Sequence, residues 1–98
     1  MENDIKTMCK QVADKFGYSV QSSQLMEECA ELIQAINKTK RAKTGEEQYV
    51  ALQHCIEEIA DVEVMLEQIK HLLGIKEEEL DDIKVFKLHR VMRKVEEG

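Results

Sequence analysis

At 98 residues, 43% hydrophobic and without proline, the chain has room for one domain, spanning 1–98, and not for two. A formal net charge of −6 and a pI near 5.1 argue against a sequence-independent grip on a nucleic-acid polymer, which needs a basic surface, and favour a cation or a cation-bearing ligand. Cys9, Cys29 and Cys55 have neither CxxC nor His-linked spacing, which argues against a disulfide framework or a zinc knuckle.

The opening MENDIKTMCK has no basic stretch followed by an apolar run, and no run of about 18 uncharged apolar residues occurs. The expectation is a cytoplasmic protein without a membrane partner. The first periodic segment runs from about Asn3 to Phe16, with Ile5, Met8, Cys9, Val12 and Phe16 at helical spacing and Asn3 or Asp4 as its N-cap. Gly17 stops it. A link, YSVQSS, follows, with Ser22 or Ser23 as cap of the next helix.

The second helix covers about Ser23 to Arg41. Leu25, Cys29, Leu32, Ile33 and Ile36 form its apolar stripe, the expected core, while Glu28, Glu31 and Ala35 lie along the edge of that stripe. Lys38, Lys40, Arg41 and Lys43 then concentrate positive charge. Part of this complements the negative end of the helix dipole; the functional reading is a basic flank beside an acidic pocket. Gly45 marks the turn.

The third helix is the longest, about Glu46 to Leu73, with a stripe of Leu52, Cys55, Ile56, Ile59, Val62, Leu66, Ile69 and Leu73, and Gly74 as its stop. Glu58 and Asp61 again border the stripe. Aspartate is a weak helix former, so Asp61 calls for a reason other than propensity. The last segment, from Ile75, opens on Glu77, Glu78 and Glu79, favourable in a first helical turn. It continues through Leu80, Ile83, Phe86, Leu88, Val91 and Met92 with Lys84, Lys87, Arg90, Arg93 and Lys94 interleaved. Lys87 and Arg90 stand out as candidate phosphate contacts. The expected architecture is all-α, about four helices per chain, a bundle completed by oligomerisation.

Glu28 with Glu31, and Glu58 with Asp61, are each three residues apart and so share a helix face. Two such helices side by side aim four carboxylates into one space, where they repel one another unless cations occupy it. Magnesium takes one or two carboxylates plus waters and substrate phosphates, so the pattern points to phosphoryl-transfer or phosphohydrolase chemistry. A di-iron bundle would show Glu-x-x-His on two helices; here the matching positions are Glu31 and Asp61. His54 stands one turn before Glu58, within reach of the site, although a surface or cavity-lining histidine is the favoured reading. There is no Gly-rich phosphate loop, and two tyrosines and two phenylalanines are too few for a base-stacking platform.

EECAE at 27–31 followed by EIAD at 58–61 resembles the EExxE, spacer, ExxD pattern of the MazG-like nucleoside triphosphate pyrophosphatases. AELIQAI after the first motif and VEVMLEQI after the second extend the resemblance over about Ser22 to Gly74, with KLHR at 87–90 as weaker support. It implies a helical homodimer or homotetramer that cleaves a nucleoside triphosphate between its α and β phosphates, with Mg2+, or Mn2+ in its place. On the matching positions Glu28, Glu31, Glu58 and Asp61 would be metal ligands, and Glu27 would orient or activate the water. Lys38, Lys87 and Arg90 stand where relatives place basic groups near the phosphates. There is no tryptophan to clamp a base, so base specificity does not transfer; Tyr18 and Tyr49 are the available stacking residues. The rival readings are a phosphoribosyl-ATP pyrophosphatase, with a similar fold and acidic face, and a non-catalytic helical interaction module whose acids are solvated edges.

Overall fold

The structure, a computed structural model, describes residues 2–98. It is all-helical, without a strand among the described residues: α1 Glu2–Arg41, α2 Gly45–Leu73 and α3 Glu77–Glu97. The sequence divides this helical length into about four pieces; the structure has three helices, with α1 broken at Gly17. The reason lies in YSVQSS, which is helical and not a link. Ser22 and Ser23 do not cap: their hydroxyls donate to the Ser19 carbonyl, 3.2 and 3.1 Å away, inside a continuing helix. The cap expected of Asn3 lies outside the described side chains, and Asp4 is within the helix.

The whole change of direction falls on Gly17, at φ 85° and ψ 168°, a region essentially closed to residues with a Cβ. Before it, Cys9 meets Val64 and Asp14 meets His71, numbers rising together, so the first arm runs parallel to α2. After it, Gln21 meets Gln68 and Glu31 comes near Glu58, numbers running in opposite senses, so the second arm is antiparallel to α2. Gly17 thus folds α1 into two arms that both pack on one helix.

The ends of α2 are closed locally. Thr44 accepts from the Glu47 amide at 3.1 Å while the Glu47 carboxylate accepts from the Thr44 amide at 3.2 Å, a reciprocal capping box. Gly45 is therefore the first residue of the helix and not the turn itself. At the other end Gly74 takes φ 68°, its amide donates to the His71 carbonyl, and the Ile75 amide donates to Lys70, as in a Schellman stop.

The packed surface is not the apolar stripe. On the second arm of α1 the buried residues are Gln21 and Ala35, with Glu28 half-buried between them; on α2 they are Ala51, Glu58, Val62, Met65 and Gln68. Small alanines let the two backbones approach, and Gln21 Nε2 donates to Gln68 Oε1 at 2.7 Å across the seam. The stripes read as core point elsewhere. Ile33, Ile36, Leu52, Ile56, Ile59, Leu66 and Leu73 are all exposed, as are Ile5, Met8, Val12 and Phe16 of the first arm. Of the expected core, Cys9 and Val62 are buried, and Leu25, Cys29, Leu32, Cys55 and Ile69 are half-buried. Among the described residues α3 packs on neither α1 nor α2 and buries none of its own. No described helix is long and apolar enough to cross a membrane.

Candidate metal centre

Where the antiparallel arm of α1 crosses the middle of α2, Glu28, Glu31 and Glu58 each bring a carboxylate oxygen to within 4.8 Å of the other two. The helical step of three residues puts Glu28 and Glu31 on one face, and the seam register sets that face against Glu58. Glu31 is exposed, Glu28 half-buried and Glu58 only 8% exposed.

Two oxygens in this cluster are buried and find no hydrogen-bond partner among the described residues: Oε2 of Glu28 and Oε2 of Glu58. Their sister oxygens are partnered. Gln24 Nε2 donates to Glu28 Oε1 at 2.8 Å, and His54 Nε2 lies 3.3 Å from Glu58 Oε1. The Gln24 amide draws the Glu28 pKa down, but burial and the neighbouring Glu31 and Asp61 carboxylates push it up by more, leaving the group above the ordinary carboxylate range. A carboxylate is an acceptor only, so buried oxygens without donors, in a group of like charges, are costly to keep ionised. A hard divalent cation would satisfy them at once. The donor set, carboxylates without thiolate, suits magnesium or manganese.

The residues singled out in the sequence fall into three groups. Glu28, Glu31 and Glu58 converge, and Asp61, though exposed, neighbours Glu28 closely enough to raise its pKa. Lys38 lines an open cleft of about 710 Å3 between the end of α1 and the start of α2, together with Arg41, Glu46, Glu47, Val50, Ala51 and His54. His54 lines that cleft, as the favoured reading had it, and its Nε2 also lies 3.3 Å from Glu58 Oε1. Glu27 is exposed. Lys87 and Arg90 lie on α3, where with Arg93 and Lys94 they line a shallow basic hollow, and their own chain does not bring them to the acids. Tyr18 and Tyr49 are exposed and neither lines the cleft. Gln24 was not singled out, and a glutamine four residues before Glu28 was its signal; Arg41 was read with Lys38 as part of the basic flank.

The first arm closes the far side of α2. The Cys9 thiol points at the Val64 carbonyl, 3.8 Å away, and its pKa is raised by burial and by Glu67; His71 Nε2 lies 2.8 Å from Asp14 Oδ1. Cys29 and Cys55 are half-buried and unbonded to each other. In comparisons with known proteins, no family model, no curated protein and no solved structure matches the chain.

Proposed function

We propose that the chain is a divalent-cation-dependent nucleoside triphosphate pyrophosphohydrolase of the MazG-like kind, acting as a homodimer or homotetramer. The observation that carries this reading is the pair of unpartnered buried oxygens on Glu28 and Glu58, converging with Glu31 beside a cleft that Lys38 and Arg41 line together with Glu46 and Glu47. An interaction module has no use for such an arrangement, because solvated edge carboxylates keep their water.

In this reading Glu28, Glu31 and Glu58 hold the ion, and Asp61 adds charge beside Glu28. When bound, magnesium supplies Lewis-acid polarisation of a phosphoryl oxygen and lowers the pKa of water. Water attacks the α phosphorus, the bond between that phosphorus and the α–β bridging oxygen breaks, and pyrophosphate leaves with the monophosphate as the other product. Lys38 and Arg41, on one wall of the cleft, offset the negative charge of the leaving pyrophosphate. His54 holds the Glu58 carboxylate through Oε1 and keeps its other oxygen turned to the cluster. Glu27, one residue from Glu28 and open to solvent, takes the proton of the attacking water. Lys87 and Arg90 serve the phosphates only if a second copy presents them.

The test is pyrophosphate release from a panel of normal and modified nucleoside triphosphates and phosphoribosyl-ATP, with and without magnesium, beside Glu28→Gln. Magnesium-dependent release, reduced at least about 100-fold in the variant, supports the proposal. A folded protein that releases pyrophosphate from no triphosphate overturns it, and release from phosphoribosyl-ATP alone moves the assignment to that substrate.

A further inference from the structure

The chain exposes far more surface than a finished domain of its mass. Its accessible area is 7900 Å2 for 11.4 kDa, whereas a compact monomer of that mass exposes about 5,800 Å2. Its radius of gyration is 16.7 Å against about 13 Å for a compact chain of this length. The excess of about 2,100 Å2 per chain, doubled over two copies, lies in the range that obligate homodimers bury, about 2,000–5,000 Å2.

The surplus is concentrated on two surfaces. One is the outer row of α2, where Leu52, Ile59, Leu66 and Leu73 recur every seven residues, each between 43% and 53% exposed; this is the heptad spacing by which a helix presents a seam to a partner. The other is α3, where Leu88, Val91 and Val95 share one side and all are exposed. The charges of these surfaces are opposite. From Lys84 to Lys94 α3 carries Lys84, Lys87, Arg90, Arg93 and Lys94 without an acid, while on α2 the exposed Glu63 stands one turn after Ile59, beside the outer row.

What keeps α3 off its own body is the way it leaves α2. The Gly74 stop fixes the exit, and Lys70 bridges both Glu67, at 2.9 Å, and Glu77 at the start of α3. We infer that α3 is an exchanged arm: its apolar side lies on the outer row of α2 of a second copy of this chain, and that copy's α3 returns the contact, giving a symmetric dimer. This goes beyond the oligomer proposed above by assigning the helix and the surface, and it stands independently of the reaction.

Sedimentation of the full-length chain tests it, with Val91→Glu/Val95→Glu on α3 and Leu66→Glu on α2. Since α3 buries nothing in its own chain, the α3 variant keeps its helical content. The wild type sediments as a dimer at low micromolar concentration, and each variant alone raises the dimer dissociation constant at least about 100-fold. An equimolar mixture of the two variants regains dimer, because the mixed pair keeps one intact arm-to-body contact. A monomeric wild type, a dimer indifferent to the α3 substitutions, or a mixture that stays monomeric would each overturn the exchange.

Discussion

The seam between α1 and α2 and the row on the outside of α2 use the same helix and the same seven-residue step, yet they differ in chemistry. The seam is Gln21, Glu28 and Ala35 against Ala51, Glu58 and Met65; the row is Leu52, Ile59, Leu66 and Leu73. One is buried with alanines, amides and carboxylates, the other is exposed with leucine and isoleucine. A chain folding for its own stability alone would bury the second and expose the first. This one holds acids together in its intrachain contact and leaves a row of leucine and isoleucine exposed, the surface assigned above by proposal to a second copy.

The sharpest way to break this contrast is to enlarge the seam. Ala35 is completely buried, so Ala35→Leu forces the α1 arm away from α2 and is expected to destabilise the dilute chain by about 3 kcal/mol, the upper part of the usual overpacking range. Leu52→Ala, in the outer row and 52% exposed, should stay within about 0.5 kcal/mol in the same dilute urea titration. Equal costs at the two positions would mean that the outer row is an ordinary core and the contrast is false.

A smaller effect sharpens the polar side of the seam. Gln68 is 2% exposed and accepts the Gln21 amide at 2.7 Å. Gln68→Ala strands the buried Gln21 amide and should cost about 2 kcal/mol, whereas the double change Gln21→Leu/Gln68→Leu should be close to neutral because both polar groups leave together. Urea midpoints of the three proteins decide it. A double variant as unstable as the single one would mean that the pair fixes helix register through more than its hydrogen bond.

Much of this was legible in the sequence where the cause is local. The all-helical class follows from 3.6-residue periodicity, and the stop of α2 at Gly74 from a residue that tolerates the left-handed conformation. The convergence of Glu28, Glu31 and Glu58 follows from spacing within each helix plus one antiparallel crossing. Gly17 was legible as an interruption but not as the whole of one: the six residues after it, three of them serine, look like a link, yet they sit in helix because a single glycine in a region closed to other residues completes the reversal. The Thr44–Glu47 capping box stood in the sequence as a T-x-x-E pattern, overshadowed by Gly45 between its members. The seam was legible only in part. Reading the core from the apolar stripe assumes that the largest apolar residues face the same chain, and here much of that stripe is exposed, while the intrachain face is marked by Ala35, Ala51, Val62 and Met65.

The smallest expected effect is the most direct probe of why the acids are held in the seam. Glu28 has its pKa raised in the folded chain, the Gln24 hydrogen bond notwithstanding, by burial and by Glu31 and Asp61. A raised pKa means that the folded state holds this proton more tightly than the unfolded state does. The group's contribution to stability is therefore greatest below its ordinary value, declines as pH rises from there through the raised value, and is flat above it. Glu47 and Glu77 act in the opposite sense, their pKa values being lowered by the Lys43 and Thr44 amides and by Lys70, so the total curve hides the Glu28 component. Subtracting the Glu28→Gln curve from the wild-type curve isolates it. In EDTA the difference should fall with rising pH across the upper carboxylate range. In millimolar magnesium the decline should vanish, because a cation then takes the place of the proton among Glu28, Glu31 and Glu58, and for the same reason magnesium affinity should weaken as pH falls through the raised value. A difference curve that ignores magnesium would mean that the seam gathers its carboxylates for something other than a cation, and the contrast with the outer row would then be one of packing alone.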